Sequence, residues 1–364
     1  MDTQAGWLVL ENGAVFQGAR IGARKNIIAE AVFATGMNGY LETLTDPSYF
    51  GQAVVQTFPL IGNYGVIEAD FESRRPFLSA YLVSELCEAP SNFRCGGTLG
   101  NWLAENGIPG LCGIDTRRLT RMLRENGTMN AMLCDTPEQA DPEAIKAYRV
   151  TDAVRHTTCD AAYSLGDAQA KYHIVLLDLG AKANIARCLV NRGCRVTVVP
   201  AFTPAAEIVA LAPDGIMLSN GPGDPAVNTA VIAEIRRLTQ SGKPIMAICL
   251  GHQLLALANG IQTAKLKFGH RGVNQPVRDR KTGRLAMTAQ NHGYQVLYDE
   301  ANAACRAAAD LRFVNVNDGS CEGLMYREFP GLSVQFHPEA CAGPQDTQGL
   351  FDEFMQMLEV GTCR

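Results

Sequence analysis

In the second half of the chain, short unbroken apolar runs alternate with segments whose apolar positions recur every three or four residues. The runs 173–179 (HIVLLDL), 195–199 (RVTVV), 215–219 (GIMLS) and 244–248 (PIMAI) predict strands, and 181–192, 204–211, 228–240 and 250–260 predict the helices that follow them. Strands that are apolar on both faces and alternate with amphipathic helices predict an α/β fold with a doubly wound, mostly parallel sheet. In such sheets ligands bind at the carboxyl ends of the strands. The closing segment 346–358 places Leu350, Phe351, Phe354, Met355 and Leu358 on one helical face.

The first half reads differently. Strand-like pieces at 7–10 and 14–16 flank the turn Glu-Asn-Gly (11–13), and the turn-rich Thr-Asp-Pro-Ser-Tyr (45–49) follows. The helical segment 115–125 opens with an acid and is basic throughout. This pattern predicts a separate N-terminal α/β domain over 1–134 and a C-terminal domain over 171–364. The polar, weakly patterned stretch 135–170 is expected to connect them. No internal repeat stands out.

Composition narrows the function. A chain of 364 residues, 47% hydrophobic and 19% charged, accommodates two globular domains. Its formal net charge of -5 provides no basic footprint for nucleic acid or an anionic membrane. No apolar run approaches membrane-spanning length and the N-terminus lacks a signal-peptide pattern, so a cytoplasmic enzyme is expected. The twelve cysteines are scattered without a Cys-x-x-Cys, which predicts reduced thiols, and no zinc-type spacing predicts a metal site.

Candidate chemistry centres on Cys249, at the junction between the run ending at Ile248 and the helical segment that follows. A nucleophile on such an elbow stands clear of the sheet, and the helix N-terminus favours thiolate. The next backbone N–H, that of Leu250, is placed to stabilise an oxyanion. Gly251 is expected to let the tight turn form without a Cβ clash. Of six histidines, His337 in Val-Gln-Phe-His-Pro-Glu (334–339) is the preferred base, because in extended chain Glu339 lies on the same side and can orient it. His252 and His292 are the rivals. The loop Ser-Asn-Gly-Pro-Gly-Asp-Pro (219–225) outlines a dinucleotide fingerprint, but Asp224 would repel a pyrophosphate and two prolines remove donors. A second oxyanion donor from this loop is the alternative.

The Gly-Pro-Gly-Asp-Pro loop, the Cys-Leu-Gly-His-Gln elbow and the late His-Pro-Glu resemble those of class I glutamine amidotransferases. Outside that domain, Gly-Met-Asn-Gly-Tyr (36–40), Leu-Thr-Asp-Pro-Ser-Tyr (44–49), Ile-Gly-Asn-Tyr-Gly (61–65), Ser-Asn-Phe-Arg (91–94) and Gly-Ile-Asp-Thr-Arg (113–117) extend the likeness. They make the whole chain similar to the small, glutamine-hydrolysing subunits of carbamoyl-phosphate synthetases. The resemblance implies a catalytic Cys249–His337–Glu339 triad and L-glutamine contacts at Ser48, Gly221, Gly223, Leu250, Gln253, Asn291, Gly293 and Tyr294. Ala247 and Tyr294 depart from the Gly and Phe expected at those positions. It also implies no cofactor in this chain. A large partner subunit would carry ATP and Mg, in a heterodimer or an assembly of heterodimers, to make carbamoyl phosphate for arginine and pyrimidine synthesis. The alternative readings are a stand-alone α/β cysteine hydrolase and a catalytically silent regulatory subunit.

Overall fold

Parallel pairing at the centre of a large sheet sets the architecture of the C-terminal half. The computed structural model describes residues 4–362 and divides the chain into two compact units, Met1–Ala153 and Val154–Arg364. In the second unit the strands Cys194–Pro200, Tyr172–Asp178, Gly215–Leu218, Ile245–Ile248 and Gly331–Val334 lie side by side in that order, all parallel. Alternate residues leave on opposite faces. Val175 and Leu177 pack with the helices Ala205–Ala210, Thr229–Thr239 and Leu250–Ala258. Ile174 and Leu176 pack with Ala183–Val190 and the C-terminal helix Gly349–Thr362. This is the doubly wound core that the alternating pattern implied.

Beyond Gly331–Val334 the sheet continues antiparallel through Cys321–Tyr326, Leu285–Val296, Thr263–Asp279 and Ala309–Asn315. Tyr163–Leu165 pairs antiparallel with Cys194–Pro200 at the opposite edge, completing ten strands. Periodicity did not signal this extension, because polar residues interrupt the long hairpin strands on both faces and their register shifts twice.

The N-terminal unit is built around a closed barrel of Ala5–Leu10, Val15–Gly22, Pro109–Cys112, Ala80–Leu82, Gln52–Gln56, Ile27–Ala34 and Met129–Cys134. Its first hairpin has the expected turn, with Leu8 opposite Phe16. The basic helix Thr116–Asn126 starts where the sequence placed it, and the Asp115 carboxylate accepts from Arg118 N–H at its N-terminus. Ser48 lies in a 3-10 turn, Pro47–Tyr49, where Asp46 accepts from its backbone N–H.

The stretch 135–170 contains the division between the units, after Ala153. Its first half carries the helix Pro142–Ala147, with Ile145 buried and the Tyr148 hydroxyl donating to Gly51 O at 2.9 Å. Its second half joins the sheet through Tyr163–Leu165, and Cys159 N–H donates to Asp178 at 2.7 Å. A few apolar and hydrogen-bonding anchors order a segment whose remaining residues are exposed, so its composition reads as polar. The eleven cysteines described are all free. Among the described residues no helix is long and apolar enough to cross a membrane.

The C-terminal helix seals one sheet face at Gly215, where a Cβ would lie 2.5 Å from Leu358 and 3.0 Å from Phe354. Phe354 is fully buried there. Phe354→Ala should therefore lower unfolding free energy by about 3–5 kcal/mol in a urea titration. A loss below about 1 kcal/mol would show that this helix is not part of the cooperative core.

Candidate active site

Two neighbouring parallel strands end at the same level, and each delivers one reactive side chain there. Ile248 stands opposite Val334, and Cys249 N–H donates to Val334 O at 2.8 Å. The chain then turns sharply: Cys249 has φ 53° and ψ -105° and immediately precedes the helix Leu250–Ala258. A non-glycine residue in this region carries strain on the order of 1–3 kcal/mol and persists only where its surroundings enforce it. The expectation that Gly251 lets the turn form without a Cβ clash holds. The left-handed backbone belongs to Cys249, whereas Gly251 is required for close approach, since a Cβ there would sit 2.6 Å from Leu218 O and 2.8 Å from Ser219 O. The thiol is buried and donates to Asn291 O at 3.8 Å, so the 290–294 segment covers it.

His337 and Glu339 lie just beyond the adjoining strand, and His337 N–H donates to Ala289 O at 2.9 Å. Their side chains are buried and meet through His337 Nδ1 and Glu339 Oε1 at 2.6 Å. With Nδ1–H donating to the carboxylate, Nε2 is left for the thiol side. Nε2 has no partner of hydrogen-bond geometry, yet Cys249 is near enough to act on the titration of His337. Burial pulls the imidazole pKa down and Lys182 adds to that. Glu339 and Cys249 outweigh both and raise it to about 9. Burial raises the Glu339 pKa, but His337 and Lys182 hold it below the usual carboxylate range. Lys182 Nζ is 3.8 Å from Glu339 Oε1 and 3.4 Å from His337 Nδ1.

The rival histidines are engaged elsewhere. His252 Nδ1 lies 2.7 Å from Ser333 Oγ, and complete burial lowers its pKa to about 3. His292 Nδ1 is 2.7 Å from Tyr294 O and Nε2 is 3.0 Å from Gln290 Oε1; burial depresses its pKa strongly. His270, His292 and Glu322 form the group among the described residues close enough to hold a metal ion. These side chains are already tied into hydrogen bonds. Asp318 meets His270 Nε2 at 2.9 Å, and Glu322 accepts from Asn315 at 2.8 Å and from Gln290 at 3.0 Å. The arrangement braces the strand segment that carries Asn291 and Tyr294.

Around the thiol the structure gathers most of the remaining candidates. A Cβ on Gly221 would lie 2.2 Å from Leu179 O and 2.8 Å from the Leu250 side chain, so the Gly-rich loop abuts the start of the elbow helix. Gly223 adopts φ 89°, and Asp224 caps the following turn by accepting from Ala226 N–H. Gln253 donates to Tyr294 O at 2.9 Å, tying the helix to the segment that holds Asn291, Gly293 and Tyr294. Ser48 belongs to the N-terminal unit. Lys182, Asn184, which donates to Glu339 O, and Gln335 were not singled out by sequence reasoning. A Lys and an Asn just past the end of the Tyr172–Asp178 strand were the available signal.

Both parts of the chain match known protein families. The family described as "Carbamoyl-phosphate synthase small chain, CPSase domain" matches residues 8–133, and "Glutamine amidotransferase class-I" matches residues 175–357. The carbamoyl phosphate synthase small chain of Clostridium perfringens is 47% identical over 351 residues, covering 96% of this chain and 98% of that one. The protein of the same name from Bacillus cereus is 48% identical over 357 residues, covering 97% and 95%. A putative GMP synthase protein from Thermoplasma acidophilum superposes with a TM-score of 0.45 at 20% identity, over 52% of this chain and 94% of that one. With an N-terminal small-chain domain, a class-I amidotransferase domain and this identity over nearly its full length, the chain belongs to the carbamoyl-phosphate synthase small-chain family.

Proposed function

We propose that this chain hydrolyses L-glutamine to glutamate and ammonia through Cys249, His337 and Glu339, and passes the ammonia to a large ATP-dependent synthase chain. The observation that carries this reading is the pairing of a strained strand-to-helix cysteine with a buried His–Glu dyad at the end of the adjoining parallel strand. Cys249 sulfur attacks the side-chain carboxamide carbon, forming a C–S bond and a tetrahedral oxyanion. Leu250 N–H and the Gly221 loop are assigned as the donors to that oxygen. The His337 imidazolium, favoured by its raised pKa, gives its Nε2 proton to the leaving nitrogen as the C–N bond breaks. The neutral imidazole then takes a proton from water, which attacks the thioester and releases glutamate. Glu339 keeps Nδ1–H engaged throughout and steadies the cation.

The contacts to glutamine are assigned to Gly221, Gly223, Leu250, Gln253, Asn291, Gly293 and Tyr294, with Ser48 of the N-terminal unit as a further contact. Ammonia is mostly protonated and non-nucleophilic at neutral pH, so direct delivery to an acceptor is required. The sequence holds no G-x-x-x-x-G-K-[ST] phosphate loop, which assigns ATP, Mg and bicarbonate activation to the large partner chain. The heterodimer would use the N-terminal unit as its docking surface, and its carbamoyl phosphate would feed arginine and pyrimidine synthesis. Free cysteines throughout the described chain support a reducing, cytoplasmic setting.

In complex with the large chain, Cys249→Ser should abolish synthesis from glutamine and leave synthesis from added ammonium salts intact. Loss of both would make Cys249 a structural residue. His337→Asn should lower glutamine turnover by at least about 100-fold, whereas His252→Asn should cost less than about ten-fold. The reverse ranking would move the proton work to His252.

The raised His337 pKa also predicts a pH-dependent stability. Its contribution is complete below the ordinary value of 6.5 and is lost as pH rises through about 9. The depressed Glu339 pKa contributes above its ordinary value of 4.5 and is lost as pH falls. The stability advantage of wild type over Glu339→Gln, from denaturant titrations, should therefore peak between about pH 5 and 6.5 and fade through pH 9. A difference that stays constant from pH 5 to 10 would contradict the ion pair.

A further inference from the structure

Alternate residues at the end of the strand Gly331–Val334 meet the elbow helix in sequence: Ser333 contacts His252, Gln335 contacts Gln253, and His337 stands beside Cys249. The middle pair has a defined polarity. Gln253 Nε2 donates to Tyr294 O at 2.9 Å and to Gln335 Oε1 at 2.9 Å, which uses both of its protons. The backbone carbonyl of Tyr294 cannot turn around, so the Gln253 amide is fixed with its nitrogen inward. Turning Gln335 would set one NH2 against another, so its oxygen must face Gln253. As a result Gln253 Oε1 is left as an acceptor to which no described residue donates.

The position of Gln335 is otherwise unfavourable. It is fully buried, and its Nε2 finds no acceptor among the described residues. Leaving a buried amide donor unpaired is destabilising, and an apolar residue of the same volume would avoid that penalty. The carboxamide is explained if its oxygen is needed to hold Gln253.

We infer that Gln335 is a positioning residue that fixes the Gln253 carboxamide with its oxygen toward the substrate, where it accepts from the α-ammonium of glutamine. This rests on the glutaminase reading and assigns the source of its selectivity for an α-amino acid over a simple carboxamide. Without the Gln335 oxygen, one Gln253 N–H is unpaired and the amide can swing about its bond to Tyr294 O. A site built to pair a polar group discriminates strongly against the analogue that lacks it, so that discrimination is the quantity to read.

The experiment uses the complex with the large chain and measures the KM for glutamine and the Ki of glutaramate, which is glutamine without its α-ammonium. Gln335→Met should raise the KM for glutamine by about ten-fold or more, lower kcat by less than about three-fold, and change the Ki of glutaramate by less than about two-fold. Gln335→Glu, which keeps an acceptor in place, should retain the wild-type ratio of Ki to KM within about two-fold. In a Gln253→Met background, Gln335→Met should add less than about two-fold. Equal weakening of both ligands, an unchanged KM, a lost ratio in Gln335→Glu or additive effects would each overturn the inference. Wild-type turnover of glutamine, measured alongside, separates this failure from failure of the glutaminase reading itself, in which no glutamate is released.

Discussion

The structure of the site depends on one enforced backbone conformation, the left-handed turn at Cys249. Two contacts hold it. Cys249 N–H is bound to Val334 O, which continues the parallel ladder up to the turn, and Gly251 N–H donates to Ser219 O at 3.0 Å from the far side of the junction. Between those anchors the chain must reverse within one residue, because any side chain at Gly251 would collide with the Leu218 and Ser219 carbonyls. The strain therefore falls on the reactive residue, and neighbouring strands carry it. A looser junction would relieve Cys249 but let its sulfur drift from His337.

Electrostatics then add a second constraint. Two titratable groups are buried side by side in His337 and Glu339, where each alone would be driven to neutrality. Together they stay charged, because the 2.6 Å hydrogen bond lets each offset the desolvation of the other. Lys182 completes the balance from a side chain that is 14% exposed. It supports the carboxylate and opposes the imidazolium, so the dyad is kept from holding its proton too tightly.

The C-terminal core was legible because strands such as Ile174–Leu177 are apolar on both faces and therefore announce burial on both sides of a sheet. The hairpin of Thr263–Asp279 with Leu285–Val296 was not legible, since many of its side chains are half-exposed and its register shifts erase the alternation. At the site, the strand-helix junction at Cys249 was readable from local pattern, whereas His337 meets Glu339 through a turn beyond the strand and not through the extended chain that the spacing implied. Lys182 and Gln335 escaped because their partners lie more than eighty residues away, at Glu339 and Gln253. Long-range pairing leaves no local periodicity. Within 135–170, order is set by anchors as sparse as Ile145 and Tyr148.

Three contacts between one strand end and the elbow also explain why two histidines sit in different environments. Moving from Ser333 in the strand to Gln335 and His337 just beyond it, the partner changes from His252 to Gln253 to Cys249, which immediately precedes the helix. His252 is held at the deep end, where burial lowers its pKa to about 3 and its nearest polar neighbour is a hydroxyl with no charge to stabilise an imidazolium. Only at the outer end does a histidine meet both a thiol and a carboxylate. The two histidines are thus set apart by what faces each of them rather than by residue type. The Gln253–Gln335 pair falls between these two contacts, with Gln335 two residues after Ser333 and two before His337.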